Sequence, residues 1–159
     1  MYSGECRRAL YRCFFLVTEG HLTHKQALSV SMESVDAVGI VFYAAYWTWF
    51  EQAFEGFVAA ASGSTWRDFL QSGMAMPVVH AEIDYLRPLL LSDRVTVELR
   101  LVDTGRRSIR FEATYRDEGG EPAAIARTVH VITDRGLPTA SIPDWLLRAV
   151  EPTTPEEPK

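Results

Sequence analysis

From Tyr43 to Ala61 the chain sets Tyr43, Tyr46, Trp47, Phe50, Phe54, Phe57 and Ala61 at intervals of three and four residues. That is the period of an α-helix, and it gathers six aromatic rings on one stripe. Thr48, Glu51, Gln52 and Glu55 fill most of the remaining arc, with Trp49 the exception, and Gly63 beside Ser62 and Ser64 marks the end. So aromatic a helix requires burial along most of its length. The rest of the chain must therefore build a wall around it.

The wall is legible as a change of period from 3.6 to two. Lys25 to Glu33 alternates in part and reads as a first strand. After Pro77, Val79, Ala81, Ile83 and Tyr85 alternate with His80, Glu82 and Asp84, and the same pattern recurs at Val95 to Leu101 and at Ile109 to Tyr115. These read as three half-buried strands, followed by a fourth from Ala124 to Thr133. Trp66 to Gln71 reads as a short helix, and Pro143 opens another over Asp144 to Val150. The connections are too short for parallel crossovers and force antiparallel neighbours. An α+β fold follows, with a five-stranded antiparallel sheet curled around one long apolar helix.

A length of 159 residues suits one domain. We place it at residues 23–150, after an N-terminal extension (1–22) without clear periodicity and before a loose tail (151–159) with three prolines. Lys and Arg number 16 against 21 Asp and Glu, a net charge of −5, which argues against nucleic acid as partner. No stretch reaches the roughly 20 apolar residues of a membrane span. The two cysteines, Cys6 and Cys13, give no disulfide framework, so the cytoplasm is the expected location. No second His or Cys sits at ligand spacing from His80, so no metal is expected.

Asp36 lies ahead of the helix with Gly39 three residues on, which brings a carboxylate close to unpaired amides expected at the helix start. Such amides can hold negative charge developing on a nearby oxygen. Asp36 could equally be a simple N-cap. The run Asp36-Ala37-Val38-Gly39-Ile40-Val41-Phe42-Tyr43, with Tyr46, Trp49 and Glu51, resembles the active-site stretch of hotdog-fold acyl-CoA thioesterases of the 4-hydroxybenzoyl-CoA thioesterase type. Met76 to Tyr85, with Pro88 and Asp93, looks like the matching block of the 1,4-dihydroxy-2-naphthoyl-CoA thioesterases. The likeness spans about residues 25–147. Ser34 stands where that family often carries another acid, and Ala45 where asparagine is frequent.

The resemblance implies a hotdog fold, with Asp36 as nucleophile or general base and the backbone amide of Tyr43 polarising the carbonyl. It implies substrate contacts at Gly39, Glu51, Trp66 and His80, and coenzyme A contacts at the basic turn Arg106-Arg107-Ser108. Each has a plainer alternative: a solvated helix face for Glu51, a core tryptophan for Trp66, a structural histidine for His80, a solvated turn for the arginines. It also implies a homo-oligomer, dimer or tetramer, with active sites between subunits, and no cofactor, coenzyme A arriving as part of the substrate. The expected activity is hydrolysis of an aromatic acyl-CoA, with 1,4-dihydroxy-2-naphthoyl-CoA preferred and 4-hydroxybenzoyl-CoA or another acyl-CoA as alternatives. A dehydratase of the same fold and a non-catalytic acyl-CoA binding protein are the rivals. No Gly-x-Ser-x-Gly elbow is present, which argues against a serine thioesterase.

Overall fold

The computed structural model describes residues 12–18, 21–138 and 141–150. In chain order the elements are β1 (Arg12–Thr18), β2 (His21–Ser29), α1 (Tyr43–Ser62), α2 (Trp66–Gln71), β3 (Met74–Ala75), β4 (Val78–Tyr85), β5 (Arg94–Thr104), β6 (Ser108–Arg116), β7 (Pro122–Val131), β8 (Thr133–Asp134), β9 (Leu137–Pro138) and α3 (Asp144–Val150). The principal sheet is antiparallel throughout, in the order β1-β2-β5-β6-β7-β4. It has six strands rather than five. The additional one, β1, lies in the stretch read as an extension and pairs along its whole length with β2. Residues 1–11 and the tail 151–159 lie outside the described residues.

Two further details differ from the sequence pattern. The first strand ends at Ser29, because Met32–Ser34 closes a 3-10 turn that redirects the chain. The fourth post-helical strand stops at Val131, and Thr133–Asp134 joins a separate three-stranded sheet in the order β3-β8-β9.

The stripe on α1 packs against the inner face of the sheet. Phe50, Phe57, Phe111 and Tyr115 are among the largest fully buried side chains. Phe111 meets Phe54 and Phe57 edge to face at 5.1 and 5.2 Å, and Tyr115 meets Tyr46 in the same manner at 5.1 Å. The Tyr115 hydroxyl donates to the Tyr46 carbonyl at 2.7 Å, which satisfies its buried polar atom. Trp49, out of place in the sequence pattern, is also buried, against Tyr46 and Tyr115. Each such aromatic contributes about 1.5–3 kcal/mol of transfer free energy. Gly63 ends the helix at φ +69°, its N–H returning to the Ala59 carbonyl.

Two histidines lie in this core. His130 stacks on Phe54 at 4.9 Å, its Nδ1 2.9 Å from the Met76 carbonyl and its Nε2 2.9 Å from Thr128 Oγ1. A carbonyl only accepts, so Nδ1 carries the proton and Nε2 accepts from the threonine. Burial lowers the pKa of His130, which matches that neutral tautomer. His24 on β2 faces Gly56 of α1, where the helix approaches the sheet so closely that a methyl group would overlap the imidazole. Substituting Gly56→Ala is expected to destabilise the fold by about 1–3 kcal/mol, although alanine is the better helix former. Chemical denaturation of the two proteins checks this, and an alanine variant of equal or higher stability would show that the contact can relax.

Candidate active site

The loop between the 3-10 turn and α1 is a small closed structure. The Asp36 N–H donates to the Ile40 carbonyl at 2.8 Å, and the Gly39 N–H returns to the Asp36 carbonyl at 3.1 Å. Gly39 makes this reversal at φ +81°, which costs glycine little and an L-residue more. Inside the loop, Oδ1 of Asp36 accepts from the N–H groups of Val38 at 2.9 Å and Ile40 at 3.2 Å. A short acidic side chain closing on amides two and four residues ahead is a favoured local arrangement. This corrects the alternative that Asp36 is the N-cap of the helix. The helix begins seven residues later, at Tyr43, and its N-cap is Phe42, which offers no side-chain bond. The first-turn amides of Tyr43 and Ala44 consequently lack intrahelical partners.

Bridges anchor the loop to the β4–β5 connection. Ile40 pairs with Leu90, and the Val41 N–H donates to the Leu89 carbonyl at 2.9 Å. Between these segments opens a cavity of about 410 Å³, lined by Ile40, Tyr43, Tyr46, Tyr85, Arg87 and Pro88 among others. Pockets of roughly 300–1,000 Å³ hold small organic ligands. Its walls are aromatic: Tyr46 meets Tyr85 edge to face at 5.2 Å, and the Tyr85 hydroxyl donates to the Tyr43 carbonyl at 3.3 Å. Burial, reinforced by Tyr85, pushes the Tyr46 phenol up to about 12, and burial raises Tyr85 as well, so both remain neutral donors near pH 7. Asp36 touches this cavity through Ile40, whose N–H it accepts and whose side chain forms part of the wall.

The remaining sequence candidates are dispersed within the chain. Glu51 stands eight residues beyond Tyr43, about 12 Å along the helix, on the exposed face with Thr48 and Glu55. Partial burial of its carboxyl raises its pKa. Trp66 opens α2, stacks on Phe69 at 5.1 Å and meets Phe54 edge-on at 5.5 Å, so it packs half-buried against the core and is not among the residues lining the cavity. His80 is exposed on β4, 3.4 Å from Glu82 Oε2, on the sheet face opposite Tyr85. Arg106 and Arg107 are exposed in the β5–β6 turn, which the Gly105 N–H closes onto the Ser108 carbonyl at 2.8 Å. Tyr85, Ala124, Tyr115 and Val97 share one row of the sheet, and Thr104 lies seven residues further along β5. That separates the basic turn from the cavity by about 23 Å of strand. Sequence reasoning missed Tyr85 and Arg87 as lining residues. The signal was a single cation set between Leu86 and Pro88.

Among the described residues no group of three His, Cys, Asp or Glu side chains is placed to hold a metal ion, and no helix is long and apolar enough to cross a membrane. Gly39→Ala is expected to cost about 1–3 kcal/mol through its left-handed backbone and to displace Asp36. Gly39→Asn, which tolerates that conformation, is expected to cost less. Thermal melts of both variants check the order.

Residues 30–150 match the model of the thioesterase-like superfamily. A 1,4-dihydroxy-2-naphthoyl-CoA hydrolase from Synechococcus elongatus is 34% identical over 119 residues, covering 70% of this chain and 85% of the relative. One from Thermosynechococcus vestitus is 31% identical over 138 residues, covering 81% and 92%. A solved 1,4-dihydroxy-2-naphthoyl-CoA thioesterase from Synechocystis superposes with a TM-score of 0.72 at 21% identity, over 80% of this chain and 95% of that one.

Proposed function

This chain belongs to the thioesterase-like superfamily, and we propose that it hydrolyses an aromatic acyl-CoA, preferring 1,4-dihydroxy-2-naphthoyl-CoA, at a site centred on Asp36. It is a thioester hydrolase with an acyl-CoA substrate. The observation that carries the site is a carboxylate pinned by two loop amides beside an aromatic-walled cavity at an uncapped helix start. Asp36 attacks the carbonyl carbon directly or takes a proton from the water that does. The amide of Tyr43, at the positive end of α1, receives the negative charge on the thioester oxygen. The carbon–sulfur bond then breaks, coenzyme A leaves as the thiol, and water supplies the oxygen of the free acid.

The curated relatives act on a bicyclic ester, and the cavity has room for such a ring. A 4-hydroxybenzoyl ester is smaller and would leave part of it empty. The same assay decides between hydrolysis and mere binding, because a binding protein releases no thiol. Asp36→Asn is the informative variant, since the amide oxygen can still accept from Val38 and Ile40 and the loop keeps its shape. Thiol release from 1,4-dihydroxy-2-naphthoyl-CoA is expected to fall by about 10²–10⁴-fold with an unchanged melting temperature. Undiminished turnover would remove Asp36 from the mechanism.

We further propose that two copies complete the site through β4. Among the described residues this strand is an unpaired sheet edge, exposed along nearly all of its length, with Val78, Val79 and Tyr85 open to solvent. The Val78 end of β4 shares a row with Ile109 and Thr104, next to the basic turn. Antiparallel pairing of β4 with its own copy sets the Tyr85 end of one chain beside the Val78 end of the other. Three strand spacings, about 14 Å, then separate the cavity from the second chain's Arg106 and Arg107. Co-expressing Asp36→Asn with an Arg106→Ala/Arg107→Ala chain is expected to restore turnover at low substrate, since one site of each hybrid regains both parts. Activity no higher than the sum of the separate variants would mean that each site draws both from one chain.

A further inference from the structure

We propose that Arg87 is a specificity-determining residue that binds a ring oxygen of the acyl group, which rests on the reading above that the cavity takes an aryl ester. Arg87 is the one charged side chain among those lining the cavity. Its backbone is fixed at the exit of β4: the N–H groups of Leu86 and Arg87 both donate to the Ala123 carbonyl, at 2.9 and 3.1 Å. Its guanidinium is aimed by Asp117, whose Oδ2 lies 2.9 Å from Nη2. Asp117 is itself braced in the β6–β7 turn, its Oδ1 accepting from the Glu121 N–H at 2.9 Å and its carbonyl from the Gly120 N–H at 2.9 Å.

The cation is therefore held in place by its pair with Asp117, and its side chain keeps 37% exposure. Nε and Nη2 are both shielded from water and have no aligned hydrogen-bond partner among the described residues, the Nη2 contact with Asp117 being a pairing of charges. The part of the side chain that stays exposed is the part an oxygen entering the cavity can meet, and a charged N–H there donates a strong hydrogen bond. The surrounding walls favour a ring. Tyr46 and Tyr85 present neutral aromatic surfaces, and neither competes with Arg87 for a negative charge. A hydroxyl on an aromatic acyl group meets both conditions at once, with its ring against the tyrosines and its oxygen, partly or fully deprotonated, on the guanidinium. A phosphate of coenzyme A shares the affinity for arginine, so the two sources must be separated by experiment.

The test uses the full chain with two matched pairs of CoA esters: benzoyl and 2-hydroxybenzoyl, 2-naphthoyl and 1-hydroxy-2-naphthoyl. Arg87→Met is expected to lower kcat/KM on the hydroxylated member of each pair by about 10- to 100-fold more than on the unsubstituted member. Arg87→Lys, which keeps the charge without the fork, is expected to recover part of the loss and serves as the comparison should the methionine variant not fold. An equal loss on both members would assign Arg87 to the coenzyme or to the fold and overturn the proposal. Calorimetric binding of the corresponding free acids supplies an arm independent of turnover. If the parent protein hydrolyses none of the esters, the hydrolytic reading fails while the binding arm still decides whether Arg87 discriminates the hydroxylated acids.

Discussion

Enclosing the aromatic stripe of α1 is the constraint from which the remaining architecture follows. The buried rings of Tyr46, Trp49, Phe50, Phe54 and Phe57 need a concave surface of apolar side chains, and antiparallel strands presenting Val95, Val97, Leu99, Leu101, Ile109, Phe111, Ala113 and Tyr115 on one face provide it. The approach is close enough that Gly56 has to lack a side chain opposite His24. The same packing fixes where the helix starts. Tyr46 is locked by Tyr115 through both a ring contact and a hydrogen bond to its carbonyl, so the first turn of α1 cannot slide along the sheet. That turn, with Tyr43 at its head, forms one wall of the cavity.

The two faces of the sheet solve different problems. On the outer face Arg127 contacts Glu112 at 3.0 Å and Asp84 at 2.9 Å, Arg100 contacts Glu112 at 2.6 Å, and Glu98 joins Lys25 to Arg116. Such exposed pairs add little stability individually, but a lattice of alternating charge discourages sheets from stacking on that face. Hydrogen bonding within Glu98's pairs with Arg116 and Lys25, and their positive charge, outweigh the opposing desolvation and hold its carboxyl below the usual carboxylate range. The β4 edge has no comparable protection at Val78 and Val79. An edge left apolar beside a heavily charged face favours pairing side by side rather than face to face.

Periodicity made much of this legible because it is a local property. The strand and helix patterns, the glycine that ends α1 and the acidic loop residue all depend on neighbours within a few positions. The lateral order of the strands does not, so nothing in Val79 to Tyr85 revealed that β4 is an edge lacking a cover of its own. The pattern there is half-buried, and it becomes so only if something covers Val79, Ala81 and Tyr85. The hydrogen-bond partners of Asp36 escaped the pattern for a different reason. An acid ahead of an apolar helix is ordinarily read as its cap, yet the left-handed Gly39 lets the loop close on itself, and the carboxylate is taken by Val38 and Ile40 first. Trp66 shows a third limit, since a ring suited to a ligand wall is equally suited to packing on Phe54 and Phe69.

The positions of Asp36 and Arg87 are not independent. Ile40 donates its N–H to the Asp36 carboxylate, returns its carbonyl to the Asp36 N–H, and bridges to Leu90, three residues beyond Arg87. Val41 adds a second rung to Leu89. The carboxylate proposed to act on the thioester and the guanidinium proposed to hold a ring oxygen are thus mounted on opposite sides of one short ladder. Neither element is a long helix or strand, so this ladder, rather than the rigidity of the main sheet, sets the span between them. A ring oxygen held by Arg87 would fix how far the acyl carbon reaches toward Asp36. Specificity and rate would then share a single mechanical link, and loosening the rungs at Ile40 and Val41 would weaken both.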